Sequence, residues 1–148
     1  MNDSVDYASF VALIDDDEHS AHLLTRTLVA HSAPGVQCYG DASAAFLRVK
    51  AVLSDPAAAR PALIIVDLKT HSDANLEFLE AIEHLIRQNG VPLIVLAPLL
   101  EETRRRALLE SGASAVFVRH ADRDAYRRVA GDIVEFWAHT QRPVAVGM

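Results

Sequence analysis

The run Leu63-Ile64-Ile65-Val66-Asp67-Leu68 constrains this chain more than any other stretch. Side chains alternate along a strand, so four consecutive large apolar residues cannot share one face. A strand that is apolar on both faces is buried on both, which is the condition of a central strand in a parallel sheet covered by helices. Asp67 ends the run, and in open α/β sheets the carboxyl edge is where ligands and chemistry sit. A lone acid there has a second reading, as the cap of the following loop. The choice turns on whether another acid joins it.

Residues 10–14, Phe-Val-Ala-Leu-Ile, form a second two-sided apolar run, and it stops at Asp15-Asp16-Asp17-Glu18. A helix follows, with Leu24, Leu28 and His31 on one stripe and Ala21 and Thr25 beside it. Pro34-Gly35 stops it. Residues 36–39 read as a short strand. Residues 42–53 read as a helix with Ala45, Phe46, Val49 and Val52/Leu53 inward. Residues 71–75 read as a polar loop. The next helix carries Leu76, Leu79, Ile82, Glu83 and Ile86 on its stripe and ends near Asn89-Gly90. Residues 92–97 are a third apolar strand, 101–111 a helix closed by Gly112, and 115–118 a fifth strand. A last helix, capped by Asp122, turns Tyr126, Val129, Ile133 and Trp137 inward. Strands alternating with helices through short connections predict one parallel sheet built by right-handed crossovers.

The length of 148 residues suits one domain, with its core at about 8–140 and a short C-terminal tail. A net charge of −6 does not favour direct nucleic-acid binding. The single cysteine, Cys38, excludes an internal disulfide, fits a reducing compartment, and reads as a small core hydrophobe. No apolar run approaches the ~20 residues of a membrane span. The acidic, polar start Met1-Asn2-Asp3-Ser4 is unlike a signal peptide, so a cytoplasmic protein is expected.

If the first and third strands are neighbours, Asp15, Asp16 and Asp17 converge on Asp67. Closely packed carboxylates repel, and a hard cation such as Mg2+ relieves them. A carboxylate beside such an ion is a competent nucleophile toward a phosphoryl group. The plainer reading is that residues 15–17 only cap a helix, which needs fewer acids than are present.

These pieces resemble the receiver domain of two-component response regulators over nearly the whole chain. Leu13-Ile14-Asp15-Asp16-Asp17 is similar to the family's acidic pair. Leu63-Ile64-Ile65-Val66-Asp67-Leu68 is similar to the strand of its phosphorylated aspartate. Asn75-Leu76-Glu77-Phe78-Leu79 and Gly112-Ala113-Ser114-Ala115 resemble two further segments, in the right order and spacing. The resemblance implies a flavodoxin-like (βα)5 fold with strand order 2-1-3-4-5. It implies that Asp67 takes a phosphoryl group from a histidine kinase or phosphotransfer protein. Mg2+ would be held by Asp16, Asp67 and the Lys69 carbonyl, with Asp15 binding through water. Output would be contact with a downstream protein, since the residues after 140 are too few for an output domain. The family also pairs through its fourth helix, fifth strand and fifth helix. Arg104-Arg105-Arg106 against Asp122, Asp124 and Glu135 would suit such a homodimer, or else form a solvated charged face.

Four positions depart from the pattern. Ala97 stands where the family has Thr or Ser, and losing a hydrogen bond to a charged group costs roughly 1.5–3 kcal/mol. Val116 replaces an aromatic residue. Arg119 and His120 replace Lys and a cis proline. A cis bond before a non-proline costs roughly 3 kcal/mol, so a trans peptide is expected at His120. Lys69 puts an ammonium near the site, where it can pair with Asp16 or Asp67 and partly substitute for the metal. The expectation is an atypical receiver with an altered switch, or a pseudo-receiver that works without phosphorylation.

Two other classes share parts of this pattern. Asp15-x-Asp17 after a strand also resembles the nucleophile motif of haloacid-dehalogenase-like phosphatases, but Ala97 and an acid-poor fourth strand speak against it. A nucleotide-binding flavodoxin-like protein lacks its glycine-rich loop here. His19, His22, His71 and His120 read as surface histidines before metal ligands. Phe136 and Trp137 exceed what one small core covers, so one is expected at a contact.

Overall fold

The computed structural model describes residues 10–141. The expectations about residues 1–4 and the tail lie outside the described residues. Five strands alternate with five helices. The strands are β1 (Phe10–Asp15), β2 (Gly35–Gly40), β3 (Leu63–Asp67), β4 (Leu93–Ala97) and β5 (Ala115–Val118). The helices are α1 (Glu18–Ala30), α2 (Ala42–Ser54), α3 (Ala74–Asn89), α4 (Glu102–Glu110) and α5 (Arg123–Gln141). Every strand pair is parallel and the order is β2-β1-β3-β4-β5, the expected flavodoxin-like single domain. Among the described residues no helix is long and apolar enough to cross a membrane.

The two-sided strands divide the core. Every residue of β1, β3 and β4 is buried. Ile64 and Val66 join Ala45, Val49, Phe78, Leu79 and Ile82 on the α2/α3 side of the sheet. Leu63 and Ile65 join Leu24, Leu28, Ala130 and Ile133 on the α1/α5 side. Burying one such side chain contributes about 1.5–3 kcal/mol, so β3 anchors both layers at once.

Several expectations are corrected. His31 is exposed and caps α1, donating its N–H to the Leu28 and Val29 carbonyls. The chain leaves the helix through Ser32, whose φ is 69°, before Pro34 is reached. Cys38 is exposed because β2 is an edge strand, buried only at Tyr39. The polar loop is shorter than expected, since α3 already contains Ala74 and Asn75. Phe78 is buried on α3, whereas Glu83 is half-exposed and holds Arg87 at 2.8 Å one turn on. Gly90 closes α3 at φ 64°, a left-handed cap that glycine adopts without a Cβ clash. Phe136 and Trp137 both pack against the α1/α5 cluster and both stay partly exposed.

Ile64 is fully buried at the centre of the sheet. Ile64→Ala is expected to lower unfolding free energy in urea by about 3 kcal/mol. Leu47→Ala, at an exposed α2 position, should change it by less than about 0.5 kcal/mol.

Candidate functional site

Parallel pairing of β1 with β3 sets Asp15 directly opposite Asp67. Both are buried, Asp15 to 5% exposure and Asp67 to 0%. Two carboxylates side by side out of water require a cation, and the chain provides its own. Lys69 Nζ lies 2.6 Å from Asp15 Oδ1 and 3.2 Å from Asp67 Oδ2. It also donates to the Asp67 carbonyl at 3.0 Å. Arg119 approaches from the end of β5 and donates from a terminal guanidinium nitrogen to Asp67 Oδ1 at 3.3 Å. Asp15 Oδ2 is buried without a hydrogen-bond donor, and Asp67 Oδ2 meets Lys69 as an ion pair outside hydrogen-bond geometry.

The three consecutive acids do three different things. Asp15 faces Lys69. Asp16 accepts from the backbone N–H groups of Lys69 and Thr70 at 3.0 Å each, clasping the turn after β3. Asp17 is the N-cap of α1, accepting from His19 and Ser20. The Asp15-x-Asp17 pair therefore does not assemble as a phosphatase motif, because Asp17 is exposed and engaged at the helix start.

The Asp67 carboxyl is pushed up to about 6, first by burial and then by Asp15. Lys69 and Arg119 pull the other way without cancelling burial. Tyr126 of α5 belongs to the same environment. Its hydroxyl is buried without a partner, and burial, Asp67 and Asp15 all raise its phenol above the usual value. The expectation of Tyr126 as an inward-facing helix residue holds, but its place beside the acids was missed. Asn75 was also missed. It accepts from the Leu68 N–H at 2.9 Å and donates to the Leu96 carbonyl at 3.2 Å, tying the ends of β3 and β4 together. A polar residue just inside a helix start, between two apolar strand ends, was the available signal.

At the other predicted positions, Ala97 is buried at the end of β4, and its carbonyl accepts the Arg119 N–H at 2.7 Å. Val116 is half-buried on the α2/α3 side. The aromatic residue of β5 is Phe117, one position on and therefore on the opposite face. It meets Phe136 edge to face at 6.3 Å. His120 is exposed, and no peptide bond among the described residues is cis. His71 is exposed and lies 3.3 Å from Glu77. Arg104 pairs with Asp73, and Arg105 and Arg106 reach Glu102 within the chain.

This fold is that of response-regulator receiver domains, and solved receivers superpose on the chain. A receiver domain from Rhodospirillum rubrum matches with a TM-score of 0.71 at 14% identity, covering 90% of this chain and 96% of its own. The phosphorylated cyanobacterial phytochrome response regulator RcpA matches at 0.70 and 21% identity, covering 90% and 96%. The Mn2+-bound response regulator Rcp1 matches at 0.70 and 20% identity, covering 92% and 99%. No family model and no curated protein matches the sequence.

The expected Mg2+ set does not fit this arrangement. Lys69 Nζ occupies the space between Asp15 and Asp67, and Asp16 is spent on backbone amides. Among the described residues no three His, Cys, Asp or Glu side chains gather around one point. The ammonium supplies the positive charge that the acid pair needs.

Lys69→Ala leaves two buried carboxylates short of a counter-charge. It is expected to cost roughly 3 kcal/mol, with millimolar Mg2+ raising the melting temperature of the variant and not of the parent. Raising Asp67 from 3.8 to about 6 makes the folded state bind a proton more tightly than the unfolded state. Its contribution is favourable below pH 4 and is lost as pH rises through 6. Asp67→Asn should flatten this fall, seen as a smaller drop in melting temperature between pH 4 and pH 7.

Proposed function

We propose that the chain is a signalling receiver in which Asp67 accepts a phosphoryl group from a phosphohistidine of a kinase or phosphotransfer protein. The observation that carries this reading is Asp67 paired in register with Asp15 at the carboxyl edge, with one cation against each carboxylate oxygen. In the transfer, an Asp67 oxygen attacks phosphorus, the P–N bond breaks, and the imidazole leaves with a proton. Lys69 and Arg119 lie where the added negative charge appears, and such charge-assisted contacts are stronger than neutral ones. Mg2+, expected from the sequence, has no role in this account, because Lys69 stands in its place. The output is contact with another protein, and the switch differs from the ordinary one through Ala97, Val116, Arg119 and His120. Pairing through α4, β5 and α5 belongs to the same reading.

One observation favours a second reading, the pseudo-receiver. Asp67 is fully buried and both its oxygens already face cations, so an incoming phosphoryl group must displace Lys69 or Arg119.

Intact-mass measurement after incubation with acetyl phosphate or phosphoramidate, with and without Mg2+, separates the two. The expected result is a gain of one phosphoryl group by the parent chain and none by Asp67→Asn. No gain with any donor leaves the pseudo-receiver as the function.

A further inference from the structure

A cleft of about 850 Å3 separates α1 from the β5–α5 connection, away from the α4 side of the acid pair. Arg26 lines it from α1, Arg119 from the end of β5, and Arg123 and Arg127 from α5. His19, His31 and His120 line it too, and no Asp or Glu does. The clustering follows from helix spacing. His19, Leu23, Arg26 and Thr27 fall on one face of α1, and Arg123, Tyr126 and Arg127 fall on one face of α5. Arg119 is engaged with Asp67, whereas Arg26, Arg123 and Arg127 form no ion pair among the described residues.

This gathering is out of keeping with the rest of the molecule. The chain carries a net charge of −6, so the surface outside the cleft is more acidic still. Guanidinium groups that line one cleft with no carboxylate on its wall attract an anion. The planar fork of arginine matches a phosphate with two parallel hydrogen bonds and also stacks on flat rings. Leu23, 45% exposed, and Tyr126 add apolar wall beside the charges. The volume falls in the range of small-molecule sites, about 300–1,000 Å3. The acidic surroundings oppose a long polyanion or a broad acidic partner, which would extend past the cleft, but not a compact one.

We propose that the α1/α5 cleft binds a small organic polyphosphate of nucleotide size, its phosphates on Arg26, Arg123 and Arg127 and its ring against Leu23 and Tyr126. Because Arg119 lines the cleft and also holds Asp67, the bound anion competes with Asp67 for the same guanidinium.

Titration calorimetry of the full chain with ADP and with inorganic pyrophosphate tests this. Both are expected to bind, ADP the more tightly, and added salt should weaken both. The double substitution Arg26→Ala/Arg127→Ala, at two exposed positions, should weaken each at least tenfold, with circular dichroism reporting its fold. Arg26→Ala alone provides a milder version of the same loss. The proposal is overturned if neither ligand binds, or if binding is indifferent to these substitutions. It is equally overturned if an oligoglutamate peptide binds where ADP and pyrophosphate do not.

Discussion

The arrangement of this site follows from one constraint: two carboxylates are taken out of water on adjacent strands and must be balanced there. Asp15 and Asp67 are brought together by strand register, not by mutual attraction. Burial outweighs both nearby cations in setting the affinity of Asp67 for its proton. The balance depends on where Lys69 is held, and Lys69 lies on a turn rather than in the sheet. Asp16 fixes that turn through two backbone amides, and Asn75 fixes the residue before it. The surrounding hydrogen bonds therefore serve chiefly to deliver one ammonium to one place. An acidic cluster whose cation comes from its own chain is pre-organised and needs no ion from solution to be electrostatically tolerable.

The fold was legible because its strongest signals are local and doubly determined. Each of residues 63–66 is apolar, which only a central strand covered on both faces can satisfy, and the helices between the strands have clear periods. The edge strands were legible as strands but not in their burial. Cys38 reads as a core residue by type, yet β2 has no neighbour on its outer side and sheds it to solvent. His31 falls on the apolar stripe of α1 by spacing, but the helix ends one residue earlier, where a polar side chain is better placed to cap than to be buried. On α3 the buried face takes Phe78 and not Glu83, which finds an i,i+4 partner in Arg87.

The site was legible in its membership and less so in its division of labour. Asp15, Asp16, Asp67, Lys69 and Arg119 do meet at one edge, as their positions at strand ends require. What spacing could not assign was which acid turns inward. A strand's last residue and the residue after it point to opposite sides, and here Asp15 keeps the buried direction while Asp16 swings to the turn. The side chain of Lys69 was equally undetermined, because a flexible four-carbon stem reaches solvent as readily as it reaches an acid. Tyr126 was assigned to the core from helical period alone, and period says nothing of the two carboxylates across the sheet that raise its phenol.

Ala97 at the end of β4 and Val116 on β5 carry neither a hydroxyl nor a ring, yet the site is not isolated. Arg119 is bound to Asp67 through its side chain and to the Ala97 carbonyl through its N–H. Any change of charge on Asp67 therefore acts on Lys69 and, directly, on a residue anchored to the end of β4. On one side Arg119 lines the cavity under α4, with Leu100, Thr103 and Arg104. On the other it lines the α1/α5 cleft with Tyr126 and Arg127. A guanidinium is wide enough to contact both regions, which a compact ammonium at this position is not. Arg119 thus joins the acid pair to two faces of the domain.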